Sequence, residues 1–235
     1  GRGKRSVTDE SVAAAVLTGY RRGLQTPAPI VLDRDWEWLR QLVVISEKDR
    51  AKFWKKISAA RSKSAPQAYA KALEASMPDR GLTIKTAPRS AGTGSLGRPR
   101  WIGIADWRGA PVVREAKAMV RSAWLLANNS ADSGIHAGAV ATGKFRAIDP
   151  WLLLDGDIIV RRLSPNNRKI EIDDRVNIFS PAMLEAMGAD LANVHVGLVD
   201  RRTAIKRDLD KRGKGWLAES ARQAADAVNS DYKSG

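Results

Sequence analysis

The chain has 235 residues and no cysteine, is 43% hydrophobic, and carries 40 Lys and Arg against 26 Asp and Glu. This length and apolar content suffice for one large or two small packed domains, and the missing cysteine excludes disulfides, thiolate zinc sites and a cysteine nucleophile. The formal net charge of +14 attracts polyanions, although the basic residues form short groups along the whole chain instead of one tract.

Neither a signal peptide nor a membrane segment is indicated. The basic N-terminus leads into an acidic and alanine-rich segment without the apolar core of a signal peptide. The longest apolar stretches, residues 12–17 and 151–154, fall far short of the roughly 20 residues that cross a bilayer. We therefore expect a cytoplasmic protein without a membrane partner.

The first third of the chain is predicted to be helical. Over residues 6–24, either Ser6 or Thr8 can cap a helix in which apolar residues recur every four positions. From residue 35 to about residue 76, aromatic and aliphatic side chains recur again at helical spacing. The sequence therefore predicts a helical segment over residues 1–80.

Runs of β-branched residues separated by glycine begin near Gly81 and predict strands. Two hairpins are expected, with turns at residues 107–110 and 155–157, because each turn contains the glycine that tight hairpins favour. The expected strands cover residues 82–88, 100–106, 111–115, 151–154 and 158–163.

The remaining segments complete an α+β fold. Residues 116–128 are predicted to be helical, and residues 133–146 are either helix or loop. From Ser180 onward, apolar residues return to helical spacing. The predicted order is a helical segment (1–80), an antiparallel sheet region with a glycine-rich loop (81–172) and a C-terminal helical segment (173–235).

The sharpest motif is a GxGxxG set between two predicted strands, formed by Gly92, Thr93, Gly94, Ser95, Leu96 and Gly97. A dinucleotide-binding fold requires a strand before such glycines and a helix after them, so the Rossmann interpretation fails. Strand, glycine loop, strand is the arrangement of kinase-like proteins, whose glycines let backbone N–H groups approach nucleotide phosphates. The alternative is a turn selected for its backbone geometry alone.

The strand after this loop offers two basic side chains for phosphate contact, Arg114 and Lys117. Side chains alternate between the two faces of a strand, so these two cannot both face inward. The sequence leaves open which of them does.

Other chemical patterns are weaker. Residues 138–145 nearly spell a P-loop, but Phe145 occupies the position where magnesium requires a hydroxyl, so a helix end is the better interpretation. His136 and His195 show no partner histidine or carboxylate at ligand spacing, so we expect packing or capping roles and predict no metal site.

Three segments together resemble the successive motifs of the domain of unknown function 2252 (DUF2252) family, a bacterial family: residues 91–97, 114–117 and 159–163. Weaker likeness covers nearly the whole chain. The resemblance implies a fold related to protein kinases and aminoglycoside phosphotransferases. It further implies a small kinase-lobe-like sheet, with a lid at residues 92–97 that binds ATP with magnesium.

The chain departs from the family pattern in two ways. Segments of the Gly-Asp-Ala-His and Asn-Asp-Phe-Asp types, which supply the family's catalytic and metal-binding acids, do not occur in it. Many relatives read Lys-Glu-Ala where this chain reads Arg114-Glu115-Ala116. We therefore expect the C-terminal part of a longer family member, a proteolytic product or a natural truncation, with a complete C-terminus. In that case we expect the N-terminal part of the same protein to be a binding partner of this chain. We assign no catalytic residues, and we expect the fragment alone to lack kinase activity.

Functions of different classes follow from these observations. The leading hypothesis is a kinase-like nucleotide-binding protein in which the loop from Gly92 to Gly97 and either Arg114 or Lys117 contact phosphate. The alternative is a non-enzymatic basic module that binds nucleic acid or an acidic partner through the cations of residues 201–214, with nucleic acid less favoured. A third interpretation is a degenerate scaffold that has lost its ligand.

Overall fold

The computed structural model describes residues 7–90, 97–132, 134–166 and 175–234. The chain forms two compact units. The helical unit draws on Gly1–Leu39, Gly143–Ala147 and Ile170–Gly235, and the sheet unit on Arg40–Thr142 and Ile148–Lys169. The α+β class is confirmed.

The elements follow the predicted order of helices, sheet and helices. In chain order they are α1 (Asp9–Gln25), α2 (Leu32–Asp35), α3 (Glu37–Leu42), α4 (Glu47–Ser58), α5 (Gln67–Ala75), β1 (Lys85–Pro88), β2 (Arg100–Trp107), β3 (Ala110–Ala118), α6 (Ala123–Ala127), α7 (Ala137–Thr142), β4 (Leu153–Asp155), β5 (Ile158–Arg162), α8 (Arg175–Ile178), α9 (Pro181–Leu198), α10 (Arg202–Lys211) and α11 (Trp216–Ser234).

The sheet has five antiparallel strands in the order β1-β2-β3-β5-β4, so the expected strands are confirmed. Both predicted hairpins form, β2 with β3 and β4 with β5. Their turns place Gly109 at φ +82° and Gly156 at φ +56°, a region that glycine enters without steric cost. Local turn chemistry thus determines these two pairings.

Helices cover the sheet on both faces. On one face, Leu73 of α5 packs with Trp101, Ala116 and Val160. On the opposite face, Ile57 of α4 packs with a cluster formed by Ala87, Ile102, Val113 and Leu163. The central strands therefore pack against apolar residues on both faces, and two charged side chains of β3, Arg114 and Glu115, lie in the interior of this unit.

The predicted helix over residues 116–128 is wrong in its first half. β3 continues to Ala118, because Ala116 pairs with Trp101 on β2 and with Val160 on β5. Strand pairing here overrides the high intrinsic helix propensity of alanine and lysine in residues 116–118. Only Ala123–Ala127 of that stretch is helical, and within residues 134–146 a short helix, α7, ends before Gly143.

The helical unit is organised by a close crossing of α1 and α9. Thr8 caps α1 in a capping box with Ser11, which is one of the two caps that the sequence allows. At the crossing, a Cβ on Gly188 would lie 2.1 Å from the Val16 carbonyl oxygen, so no larger residue fits without separating the helices. Among the described helices, none is both long and apolar enough to cross a membrane.

Candidate functional site

The two ends of the glycine-rich segment lie side by side at one edge of the sheet. The Arg89 backbone N–H donates to the Arg100 carbonyl oxygen at 2.9 Å, and the Ala118 N–H donates to the Pro99 carbonyl oxygen at 3.2 Å. Gly97 is exposed at φ +78°, where any L side chain would be strained. The remaining predicted loop contacts, Gly92, Thr93, Gly94 and Ser95, lie outside the described residues.

A buried carboxylate holds this junction together. Glu115 on β3 is only 1% exposed and accepts hydrogen bonds from three arginines. Arg89 donates to Oε2, Arg100 Nη1 donates to Oε1 at 3.2 Å, and Arg161 Nη2 donates to Oε1 at 3.1 Å. We call these four residues the arginine cluster. Since Arg89 and Arg100 flank the glycine-rich segment, one carboxylate ties both of its ends to the central strand.

The arginine cluster carries more positive than negative charge. Lys117 lies two residues after Glu115 on the same face of β3, directly opposite Arg100 in the β2–β3 register. Like charges directly opposite each other across a sheet destabilise it. The Lys117 side chain has no hydrogen-bond or ion-pair partner in the part of the chain that the structure describes. Within the described residues, three arginines thus bind one carboxylate and Lys117 lies opposite one of them, so a further anion would relieve the repulsion among these four cations.

Solvent reaches the cluster from one side. The Arg161 side chain is 54% exposed, whereas those of Arg89 and Arg100 are 22% and 10% exposed. Beside Arg89 a cleft of about 190 Å³ opens between α4 and the ends of β1 and β2. Its wall includes Phe53, Ile57, Lys56, Pro88 and Ile102. The cationic surface therefore adjoins a small, largely apolar cleft.

The second basic candidate, Arg114, lies on the opposite face of β3. Its side chain is buried under Trp151, with Cζ 4.8 Å from the ring centroid, and Nε donates to the Ser76 carbonyl oxygen at 2.8 Å. Burial lowers the pKa of Arg114, and repulsion from Arg162 adds to this. Arg114 is therefore engaged in packing on the α5 face, whereas Lys117 lies next to the glycine-rich segment.

Acidic and histidine side chains do not assemble into a metal centre within the described residues. Both oxygens of Glu115 are already bound by arginines. His195 Nδ1 lies 2.7 Å from the Tyr20 hydroxyl, and His136 Nε2 lies 2.7 Å from Asp132 Oδ2. The sequence interpretation found no carboxylate at ligand spacing from His136 and was wrong in this point, because Asp132, four residues earlier, contacts its ring.

Sequence reasoning missed the arginine cluster. One signal was present, since Arg89 and Arg100 stand at the two ends of the glycine-rich segment. A second was Glu115, a carboxylate within the run from Val112 to Ala116. Arg161 comes from a strand 46 residues away, and only the β3–β5 register places it opposite Glu115.

A comparison with protein-family models matches most of the chain to one family. The model of DUF2252, described as an uncharacterised protein conserved in bacteria, matches residues 44–234. No curated protein and no solved structure matches the chain.

Proposed function

The chain belongs to the DUF2252 family, and we propose that its sheet unit binds a nucleotide through the phosphates at the arginine cluster. The observation that carries this proposal is the excess of cations over carboxylates, among the described residues, at the two ends of the glycine-rich segment. A phosphate group bears the charge that this surface lacks, and guanidinium groups bind its oxygens with matching geometry.

Each part of the site has a distinct role in the proposal. Glu115 orients the arginines, so little side-chain entropy is lost when an anion binds. Arg161 and Lys117 supply the accessible charge, and glycines let backbone N–H groups of the loop approach the phosphates. The cleft beside Arg89 accepts part of the base, with the Phe53 ring as an apolar wall.

The proposal covers binding and not phosphoryl transfer. Transfer requires acids that hold magnesium and a residue that orients the acceptor. The described residues do not fit a magnesium site, because Glu115 is saturated by arginines and no acidic group clusters around the phosphate position. In this proposal a nucleotide is therefore a bound ligand of the chain, and its described residues do not transfer the phosphoryl group.

The test is thermal unfolding with ATP and magnesium, compared with tripolyphosphate. A ligand at 100 times its Kd stabilises the folded state by about 2.7 kcal/mol, which is a measurable shift of Tm. Lys117→Met should abolish most of the shift. Lys71→Met, an exposed lysine on α5, removes the same charge from the same unit and should leave the shift intact.

Three results would contradict all or part of this proposal. No stabilisation of the unchanged protein by ATP would remove the proposal altogether. Equal loss in both lysine variants would show that ATP responds only to overall charge. Stabilisation by tripolyphosphate equal to that by ATP would restrict the site to phosphate and remove the role given to the cleft.

A second candidate function rests on the basic surface of α10 and the turn after it. Arg202 is held by Asp200, and Arg212 by Asp208, so these two are largely neutralised. In the described part of the chain, the exposed side chains of four further cations have no carboxylate partner: Lys206, Arg207, Lys211 and Lys214. We propose polyanion binding, such as nucleic acid, as the alternative for this surface.

Salt dependence tests this alternative. Four phosphate contacts predict a slope of log K against log salt of about −3 to −4 on duplex DNA. Reversing Lys206 and Lys211 to glutamate should lower the slope by about two. A slope near zero in the unchanged protein would refute the alternative.

A further inference from the structure

The helical unit contains a second pocket, of about 500 Å³, whose walls come from α1, α9, α10 and the start of α11. Small-molecule sites span about 300–1,000 Å³, so this pocket is large enough for one. Its floor is apolar, since Leu17, Ile205, Leu209 and Trp216 belong to the core of the helical unit. The arginine cluster lies in the sheet unit, so the two sites are separate.

The acid at the rim of this pocket is already paired. Asp208 Oδ2 accepts a hydrogen bond from Arg212 Nε at 2.7 Å. The guanidinium of Arg212 in turn lies 4.3 Å from the centroid of the Trp216 ring. This arrangement neutralises Asp208 and fixes Trp216 as one wall of the pocket.

Of the other polar side chains that line the pocket, one carries a charge without a counter-ion within the described part of the chain. The Tyr20 hydroxyl and His195 Nδ1 lie 2.7 Å apart and satisfy each other. Arg201 also lines the pocket and is exposed, and its side chain has no hydrogen-bond or ion-pair partner in the described residues. An apolar pocket with one unpaired guanidinium at its rim has the polarity of a site for a molecule with an apolar body and an anionic end.

We propose that this pocket binds an amphipathic small molecule that carries one anionic group, such as a medium-chain or aromatic carboxylate. The apolar body covers the floor formed by Leu17, Ile205 and Leu209, and the carboxylate contacts Arg201. Burial of the apolar body supplies most of the affinity, and the charge contact selects the acid over its neutral analogue.

Displacement of a fluorescent dye, anilinonaphthalene sulfonate, tests both the pocket and the charge. Decanoate and decanol have the same chain length and differ in charge. Decanoate should therefore displace the dye at about one tenth of the concentration that decanol requires, or at a lower one. Equal displacement by the two molecules would overturn the anionic specificity. Failure of both to displace the dye would overturn the site.

Variants connect the binding to this pocket. Arg201→Gln should weaken decanoate about tenfold and leave decanol unchanged, whereas Lys233→Gln, at an exposed position of α11 in the same unit, should change neither. Ala204→Phe places a ring in the pocket from an exposed position and should abolish dye binding, with folding checked by urea denaturation. Dye binding unchanged in this folded variant would refute the proposal.

A second copy of the chain is the competing occupant. In that case dye binding would fall as protein concentration rises, and sedimentation would show a dimer that Ala204→Phe disrupts. That result would overturn the proposal.

Discussion

Replacing Glu115 with glutamine is the sharpest perturbation of the arginine cluster, since it removes the negative charge and keeps the shape of the side chain. Breaking a buried ion pair by removing one partner costs about 3–5 kcal/mol. Water can solvate Arg161, whose side chain is 54% exposed, so its share of that cost is small. The loss then comes from Arg100 and Arg89, and we expect a destabilisation of about 3 kcal/mol.

The free energy of unfolding is measured by urea denaturation, with tryptophan fluorescence and circular dichroism followed together. Glu74→Gln is the matched control, because Glu74 is exposed on α5 in the same unit and undergoes the same charge change. Exposed substitutions of this kind stay within about 0.5 kcal/mol. The Glu115 variant should therefore differ from its control by about 2.5 kcal/mol or more.

Added anions distinguish the role of the arginine cluster in stability from its role in anion binding. Without Glu115 the cations repel each other more strongly, so inorganic phosphate should stabilise Glu115→Gln more than it stabilises the unchanged protein. If Glu115→Gln and Glu74→Gln unfold at the same urea concentration, then Glu115 does not hold the junction of the glycine-rich segment, and the argument from charge excess fails.

Three further outcomes are expected. Gly188→Ala should lower the free energy of unfolding by about 2 kcal/mol, because overpacking against backbone costs about 3 kcal/mol and the higher helix propensity of alanine offsets about 1 kcal/mol. In the same urea experiment, Gly197→Ala on the same helix should be neutral or stabilising, because a Cβ there makes ordinary contacts. Arg114→Lys should destabilise the protein by about 1–3 kcal/mol, because hydrogen bonding and stacking are lost. The ATP affinity measured by calorimetry should stay unchanged, and a large loss of this affinity would show that Arg114 contacts the phosphates. The Arg202 guanidinium lowers the pKa of Asp200 to about 2. This pair therefore stabilises the folded chain fully above the ordinary carboxyl pKa, and the stabilisation is lost as the pH falls through about 2. Carboxyl NMR should show a titration midpoint at this pH, and Arg202→Ala should move the midpoint towards 3.8.

The sequence by itself determined the parts of the fold that depend on neighbouring residues. The Thr8 cap, the helical spacing of α1 and the glycine turns of the two hairpins require only contacts within a few positions. Strand alternation likewise separated Arg114 from Lys117 before any tertiary contact was known. The family assignment also came from sequence, through motif order.

Tertiary structure decided what local chemistry leaves open. Residues 116–118 became strand because β2 and β5 provide partners on both sides, which is information outside that segment. The arginine cluster depends on register, since a shift of one residue would turn Arg161 to the other face of the sheet and away from Glu115. The surroundings of the two basic candidates were also decided by tertiary structure: Trp151 and the α5 C-terminus enclose Arg114, whereas Lys117 lies opposite Arg100 on the other face of the sheet.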